Sequence, residues 1–349
     1  MPSGSGEMFR QFKALGKDGQ TSALDLLKGR FRKAVLVTGN PGTGKTHTIF
    51  EILEYLAEKK GLTPENTLVY YIDLDMGFHP IAEQVMDESV AASEKGLDIS
   101  KRGAAFLSRI QYRPVSTPED LMEATEEAIA GLAKFAAERG LDMHHREGLW
   151  LCLDDLARVW AMDIEAFSLD AYGMPLSELY TQKQTEAKAQ NKATLPTLNQ
   201  RDDYKVINAK HDEWMLKVKF SPYNFLMMTP LHFGELKADD REEANEKYIV
   251  RYGKKDVAQH FDYILAKFRN RNTNEWMVSV IKARGRSYYP PAMTIPRMTV
   301  TTDNRKFAKS PIPELIWGRE ERTAEPAPTT ASVPVVGEPP VTASDDVIA

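Results

Sequence analysis

A glycine-rich octapeptide, GNPGTGKT at residues 39–46, is the feature that most constrains what this chain can fold into. It follows the apolar run KAVLVT and precedes residues 46–61, in which apolar side chains recur at helical spacing. The sequence therefore predicts a buried strand, a tight turn that needs glycine, and an amphipathic helix that ends at Gly61.

The same octapeptide satisfies the pattern G-x-x-x-x-G-K-[ST] of a phosphate-binding loop, or P-loop. Its glycines let backbone N–H groups point inward at phosphate oxygens, and the next helix presents its positive N-terminal end. Lys45 is expected to reach the β and γ phosphates, and the Thr46 hydroxyl to ligate Mg²⁺. We expect ATP to contact Gly39, Asn40, Pro41, Gly42, Thr43, Gly44, Lys45, Thr46 and His47.

Acidic residues follow two further strand candidates. Asp154 and Asp155 come directly after the apolar run LWLCL. Asp154 emerges first and is predicted to hold Mg²⁺ together with Thr46, while Asp155 can cap the next helix. After the strand candidate at residues 67–72, Asp75 is predicted to orient or deprotonate the attacking water, in preference to Asp73. The alternative for both is a solvated loop carboxylate.

Strand candidates alternate with helix candidates along most of the chain. This alternation predicts an α/β fold with a mostly parallel central sheet covered by helices on both faces. One helix is expected to begin at Thr117, which has Asp120 at capping-box spacing, and another to span residues 203–219. The strand candidates at residues 261–268 and 275–283 predict a C-terminal hairpin.

The predicted domain boundaries are placed where the amino-acid composition of the chain changes. We expect an N-terminal extension at residues 1–30, an ATPase domain at 31–300, a C-terminal extension at 301–322 and a disordered acidic tail at 323–349. The tail is rich in Pro, Ala, Thr and Val and contains no Lys or Arg.

Composition and charge indicate the cellular location of the protein and limit the kinds of partner that it can bind. No apolar run approaches the roughly 20 residues of a membrane helix, and the N-terminus lacks the apolar core of a secretory signal. The only cysteine is Cys152, predicted to be a core residue, so a reducing, cytoplasmic location is expected. The formal net charge is −5, so any contact with DNA must come from a local patch.

The order of these elements resembles that of RecA-like recombinases over about residues 33–290. The string YIDLDMGFHP is similar to their strand that ends in the catalytic carboxylate, here Asp75 where the family usually has Glu. LWLCLDD resembles their Mg²⁺-binding strand. YNFLMMTPLHF resembles the next core strand, which places Thr229 near the position that senses the γ-phosphate, where the bacterial recombinases have Gln.

The C-terminal hairpin candidate carries the resemblance further. Lys282 and Arg284 match the basic pair that in this family reaches the ATP of the neighbouring subunit, and both point to one face of the strand because they alternate with Ala283. The resemblance implies a homo-oligomer, a filament or a ring, with a shared ATP site. The alternative is a surface pair neutralised by Asp or Glu.

Within the RecA group, the chain looks most like the phage-encoded ATPases of recombination and single-strand annealing, so the host cytoplasm is implied. The resemblance implies ATP hydrolysis on single-stranded DNA in recombination, annealing or repair, with a single-strand binding protein as a further partner. Two polar segments, residues 177–201 and 232–256, are interpreted as long loops that contact DNA, with solvated loops as the alternative. Their basic residues are Lys183, Lys188, Lys192, Arg201, Lys247, Arg251, Lys254 and Lys255.

Two other classes remain open. One is another P-loop ATPase, such as an AAA+-like motor or a packaging or replication ATPase. An AAA+ motor would carry a helical lid after its core, whereas this chain continues with the proline-rich YYPPAMTIPRMTV. The other is a nucleotide-gated binding subunit with no DNA role.

Overall fold

The structure is a computed structural model, and only part of the chain is described. The described residues are 32–39, 41–141, 146–199, 201–230, 257–269, 275–283, 294–299, 312–313 and 315–317. The predicted N-terminal extension 1–30 and acidic tail 323–349 lie outside them, as do Asn40, Arg284 and the polar segment 232–256.

One eight-stranded sheet organises the described residues. Its strands are β1 (Ala34–Gly39), β2 (Leu68–Asp73), β3 (Ile110–Pro114), β4 (Leu149–Asp154), β5 (Asn224–Pro230), β6 (Tyr263–Arg269), β7 (Glu275–Ala283) and β8 (Thr294–Thr299). They lie in the order β3-β2-β4-β5-β1-β6-β7-β8. Strands β1 to β6 are parallel, whereas β7 pairs antiparallel with β6 and β8 antiparallel with β7. The predicted parallel sheet and C-terminal hairpin are confirmed, and the arrangement is consistent with a RecA-like core.

The helices follow the predicted signals where those were strong. They are α1 (Thr48–Lys60), α2 (Phe78–Glu94), α3 (Gly103–Phe106), α4 (Pro118–Glu138), α5 (Leu156–Tyr172), α6 (Leu176–Ala189) and α7 (Asp203–Phe220). Helix α1 ends at Gly61, which adopts the left-handed conformation with φ 67°. Helix α4 is capped by Thr117, whose hydroxyl accepts the N–H of Asp120 at 3.1 Å. No helix in the described part of the chain combines the length and apolar character needed to cross a membrane.

Apolar side chains cover both faces of the sheet. In β1, Ala34 and Leu36 join a core that includes residues of α4, α5 and α7. Val35 and Val37 point the other way, into a second core with residues of α1 and α2. Alternate residues of a strand face opposite sides, so a strand covered on both sides is buried throughout. The predicted core residue Cys152 is fully buried in the second core.

A short piece of the predicted C-terminal extension packs against this second core. Trp317 is 1% exposed, and its ring lies 6.2 Å from that of Tyr55 and 6.1 Å from that of Trp150. Ile312, Leu315 and Ile316 belong to the same apolar cluster. The described residues between 312 and 317 therefore contribute to the core that supports α1.

One expectation about a loop is wrong. The polar segment 177–201 is not a long loop, because its first half forms most of α6. Leu179 and Ala187 are buried, and Leu179 packs with Phe167 of α5 and Ile207 of α7 in a small satellite core. Helix α6 buries only Leu179 and Ala187. Because its other residues are mostly polar, its composition resembles that of a solvated loop.

Trp317→Ala is expected to destabilise the fold by about 3–5 kcal/mol, because it removes a fully buried aromatic side chain and leaves a cavity between α1 and β4. Chemical denaturation measures the change. Tyr180→Ala is the control, since Tyr180 is 54% exposed on α6 and its removal should cost less than about 0.5 kcal/mol. Equal stability of Trp317→Ala and wild type would contradict the packing described for residues 312–317.

Candidate functional site

The residues predicted to bind the phosphates, the metal and the attacking water lie at the carboxyl ends of the central strands. Asp73 at the end of β2 is in register with Asp154 at the end of β4. Thr38 of β1 is in register with Thr229 of β5. The sheet order places β5 between β1 and β4, so the glycine-rich loop after β1 lies at the same edge as Asp154.

The loop after β1 takes a conformation that depends on glycine. Gly42 and Gly44 have φ angles of 76° and 74°, which side chains with a Cβ rarely adopt. A Cβ on Gly39 would lie 2.5 Å from the carbonyl oxygen of Lys267, in the neighbouring strand β6. The Lys45 ammonium donates to the carbonyl oxygen of Gly39 at 2.9 Å, so it folds back across the loop.

Thr46 and Asp154 are in direct contact. The Thr46 hydroxyl donates to Asp154 Oδ2 at 2.7 Å, and the buried Tyr71 hydroxyl donates to the same oxygen at 3.1 Å. Asp154 is 5% exposed. The Asp154 carboxylate is thus held by a hydroxyl of β2, from Tyr71, and by a hydroxyl of the P-loop, from Thr46.

The charges at this edge favour a cation. Burial raises the pKa of Asp154 and raises the pKa of Asp155 to about 7. Burial lowers the pKa of Lys45, against the opposing attraction of three nearby aspartates. These are Asp154, Asp155 and Asp75.

Two adjacent buried carboxylates are stabilised in their charged form by a nearby cation. A hydroxyl and a carboxylate also supply the oxygen ligands that Mg²⁺ prefers. Thr46 and Asp154 therefore fit a magnesium site. The predicted capping role of Asp155 is confirmed, since its side chain accepts the N–H of Ala157 at 2.8 Å and begins α5.

Asp73 and Asp75 differ in their surroundings. Asp73 is fully buried, and its carboxylate accepts the N–H groups of Asp75 at 3.0 Å and of Phe78 at 3.1 Å. It therefore shapes the turn that carries Asp75. Asp75 is exposed and lies 3.3 Å from Arg158 of α5, and its charge acts on Lys45. The turn thus presents Asp75, and not Asp73, to solvent near the P-loop.

Thr229 occupies the end of the strand between β1 and β4. It is 2% exposed, and its hydroxyl has no hydrogen-bond partner among the described residues. A buried hydroxyl without a partner is costly, so its presence at this edge fits a contact with a polar ligand group.

Two other predicted site residues are placed by the structure. His47 precedes α1, with ring nitrogens 3.6 Å from Glu51 and 3.7 Å from Glu88. Lys282 is half-buried in β7, where it is in register with Ile264 of β6. Asn40 and Arg284 lie outside the described residues.

Sequence reasoning missed Lys267, the lysine of the β6 run ILAKF. Its side chain is fully buried, and its ammonium donates to the carbonyl oxygen of Gly44 at 2.8 Å and to the Thr48 hydroxyl. Burial lowers its pKa. The sequence signal for this role was a lysine directly after three apolar residues of a strand. In a strand that lies between two others, such a charge has little room to reach water and needs a partner inside the protein.

Comparison with known proteins adds little to this geometry. No protein-family model matches the chain, and no curated protein matches it. Among solved structures the chain is similar to a crystal structure of the RadB recombinase, with 13% sequence identity, a TM-score of 0.39, and coverage of 79% of this chain and 92% of that chain. So distant a similarity carries no argument about the site, and the proposals below rest on the residues of this chain.

Gly39→Ala is expected to destabilise the protein by about 1–3 kcal/mol, because the new methyl group would overlap the backbone of β6. Urea denaturation measures the loss. Gly77→Ala is the matched control: a Cβ there meets nothing within 4 Å, and the change should cost about 1 kcal/mol or less. A Gly39→Ala protein as stable as wild type would contradict the tight approach of β6 to the loop.

Proposed function

We propose that this protein is a Mg²⁺-dependent ATPase of the RecA type that acts on single-stranded DNA in recombination, annealing or repair. The observation that carries the ATPase part is the 2.7 Å contact between the Thr46 hydroxyl and Asp154 at the mouth of a P-loop. The sequence places a strong phosphate-binding pattern at residues 39–46, and this contact adds the oxygen pair that such a site needs for its metal.

Each part of the loop has a role in this proposal. Backbone N–H groups of residues 42–46 would hold the phosphates of ATP, with Asn40, Pro41 and His47 at the edge of the site. The Lys45 ammonium would leave the Gly39 carbonyl and bind the β and γ phosphates. Thr46 and Asp154 would hold Mg²⁺, which when bound neutralises charge on the phosphate oxygens.

Hydrolysis also needs groups that act at the γ-phosphate. Asp75 would orient or deprotonate the attacking water, since it is exposed and its charge already acts on Lys45. The Thr229 hydroxyl would contact the γ-phosphate, which would supply a hydrogen bond that it lacks among the described residues. Lys282 and Arg284 would add positive charge from a neighbouring subunit of a filament or ring.

The proposed role on DNA rests on the sequence resemblance. Segment 232–256 with its lysines and arginines is proposed as the main contact. In segment 177–201, Lys183 already forms a 3.0 Å ion pair with Glu186 within α6, so Lys183 is expected to contribute less than the other basic residues. A phage-type single-strand annealing or recombination ATPase, working with a single-strand binding protein, is the specific form that we propose.

Lys45→Ala is expected to abolish ATP turnover, because it removes the ammonium that is proposed to bind the β and γ phosphates, while the buried Lys267 is held by Gly44 and Glu51. Asp154→Asn should retain much of the nucleotide binding and lose about 100-fold or more of the Mg²⁺-dependent hydrolysis. Phosphate release, measured with and without single-stranded DNA, tests both variants, and DNA should stimulate the wild type.

Asp170→Asn serves as the control, because Asp170 is an exposed aspartate of α5 paired with Lys210, and its turnover should equal that of wild type. Wild-type turnover by Lys45→Ala would contradict the phosphate site. Turnover that never responds to DNA would favour an ATPase of another class, and nucleotide binding without turnover would favour a nucleotide-gated binding subunit.

Arg284→Ala is expected to fold and bind ATP normally while losing hydrolysis, because a cation supplied in trans contributes about 10³–10⁵ in rate in phosphoryl transfer. Mixing it with Lys45→Ala should restore part of the ATPase, since each protein supplies what the other lacks. Full activity of Arg284→Ala at high dilution would refute the shared site, as would no recovery from mixtures shown to co-assemble.

A further inference from the structure

A fully buried lysine contacts the P-loop from beneath. Lys267 lies in β6, directly beside Gly39 in the sheet register. Its ammonium donates to Gly44 O at 2.8 Å and to the Thr48 hydroxyl, and it lies 3.1 Å from the Glu51 carboxylate. All three partners belong to the P-loop or to the first turn of α1.

The contact with Gly44 fixes the direction of a peptide group. The carbonyl of Gly44 and the N–H of Lys45 belong to one planar trans peptide, so they point in opposite directions. With the carbonyl held against β6, the Lys45 N–H is directed away from the sheet and into the loop. Gly44 has a φ of 74°, a left-handed conformation that glycine adopts without a steric penalty.

We propose that Lys267 is a positioning residue for the nucleotide: it holds the Gly44–Lys45 peptide so that the Lys45 N–H faces the bound phosphates. This inference rests on the proposed nucleotide binding by the P-loop. Lys267 would not touch the nucleotide itself, since its side chain is fully buried and its ammonium is held by Gly44, Thr48 and Glu51.

Glu51 supplies the charge that makes a buried lysine tolerable. It is the acidic partner of Lys267 and is itself nearly buried, with 8% of its side chain exposed. Removing one member of such a pair leaves an uncompensated buried charge and is strongly destabilising, whereas replacing both by apolar residues is often neutral or stabilising. Stability and positioning can therefore be separated by single and double substitutions.

The test compares the thermal midpoint and the affinity for Mg-ADP, by calorimetry, in wild type, Lys45→Ala, Lys267→Met, Glu51→Gln and Lys267→Met/Glu51→Met. Both proteins that carry Lys267→Met should bind Mg-ADP about 10- to 100-fold more weakly, because an N–H to a charged phosphate is no longer held in place. The double variant should recover thermal stability without recovering affinity.

Glu51→Gln is the matched control. It disturbs the same buried ion pair but keeps Lys267 against Gly44, so it should lower the thermal midpoint and leave the affinity within about twofold of wild type.

Three outcomes would overturn the inference. Wild-type affinity in the double variant would show that Lys267 serves stability alone. A loss of affinity in Glu51→Gln as large as that in Lys267→Met would assign the effect to the ion pair. If the Met variants do not fold, a loss of more than about twofold in Glu51→Gln overturns the inference by itself. A wild-type protein that binds no Mg-ADP would instead refute the proposed function, and the positioning role with it.

Discussion

The contact between the Thr46 hydroxyl and the Asp154 carboxylate is the interaction on which the rest of the site depends. Thr46 lies in the loop between β1 and α1, and Asp154 is the last residue of β4. They meet only because β1, β5 and β4 are parallel neighbours whose carboxyl ends reach the same edge of the sheet. The two buried apolar cores hold that edge in place, since each covers one face of the same strands.

Charge is distributed around the P-loop in two layers. On the open side, Lys45 lies among Asp75, Asp154 and Asp155, whose attraction opposes the effect of its burial. Beneath the loop, Lys267 is paired with Glu51 and contacts the backbone at Gly44. The upper layer has the groups that could bind a metal phosphate, and the lower layer holds the backbone that would face it.

Local signals explain which parts of the fold could be predicted from the sequence. Apolar runs bounded by glycine or by a capping residue mark β1, α1 and β4 in the sequence. The positions of these elements, and the pairing of Thr46 with Asp154, could therefore be predicted. The edge strand β3 was missed because its residues are largely exposed and show no alternation. Helix α2 buries only Phe78, Val85 and Ser89, too few positions to give a clear helical period. The role of Lys267 depends on β6 lying against the P-loop, a contact between distant parts of the chain that periodicity does not encode.

The most direct measurement is the electron spin-echo signal of Mn²⁺, substituted for Mg²⁺, in the presence of ADP. If Thr46 and Asp154 hold a metal against phosphates in the P-loop, wild-type protein should show coupling of Mn²⁺ to ³¹P within a protein-bound complex, and Asp154→Asn should lose that bound signal. A wild-type protein that forms no such complex, or an Asp154→Asn protein with an unchanged signal, would contradict the metal and phosphate site proposed here.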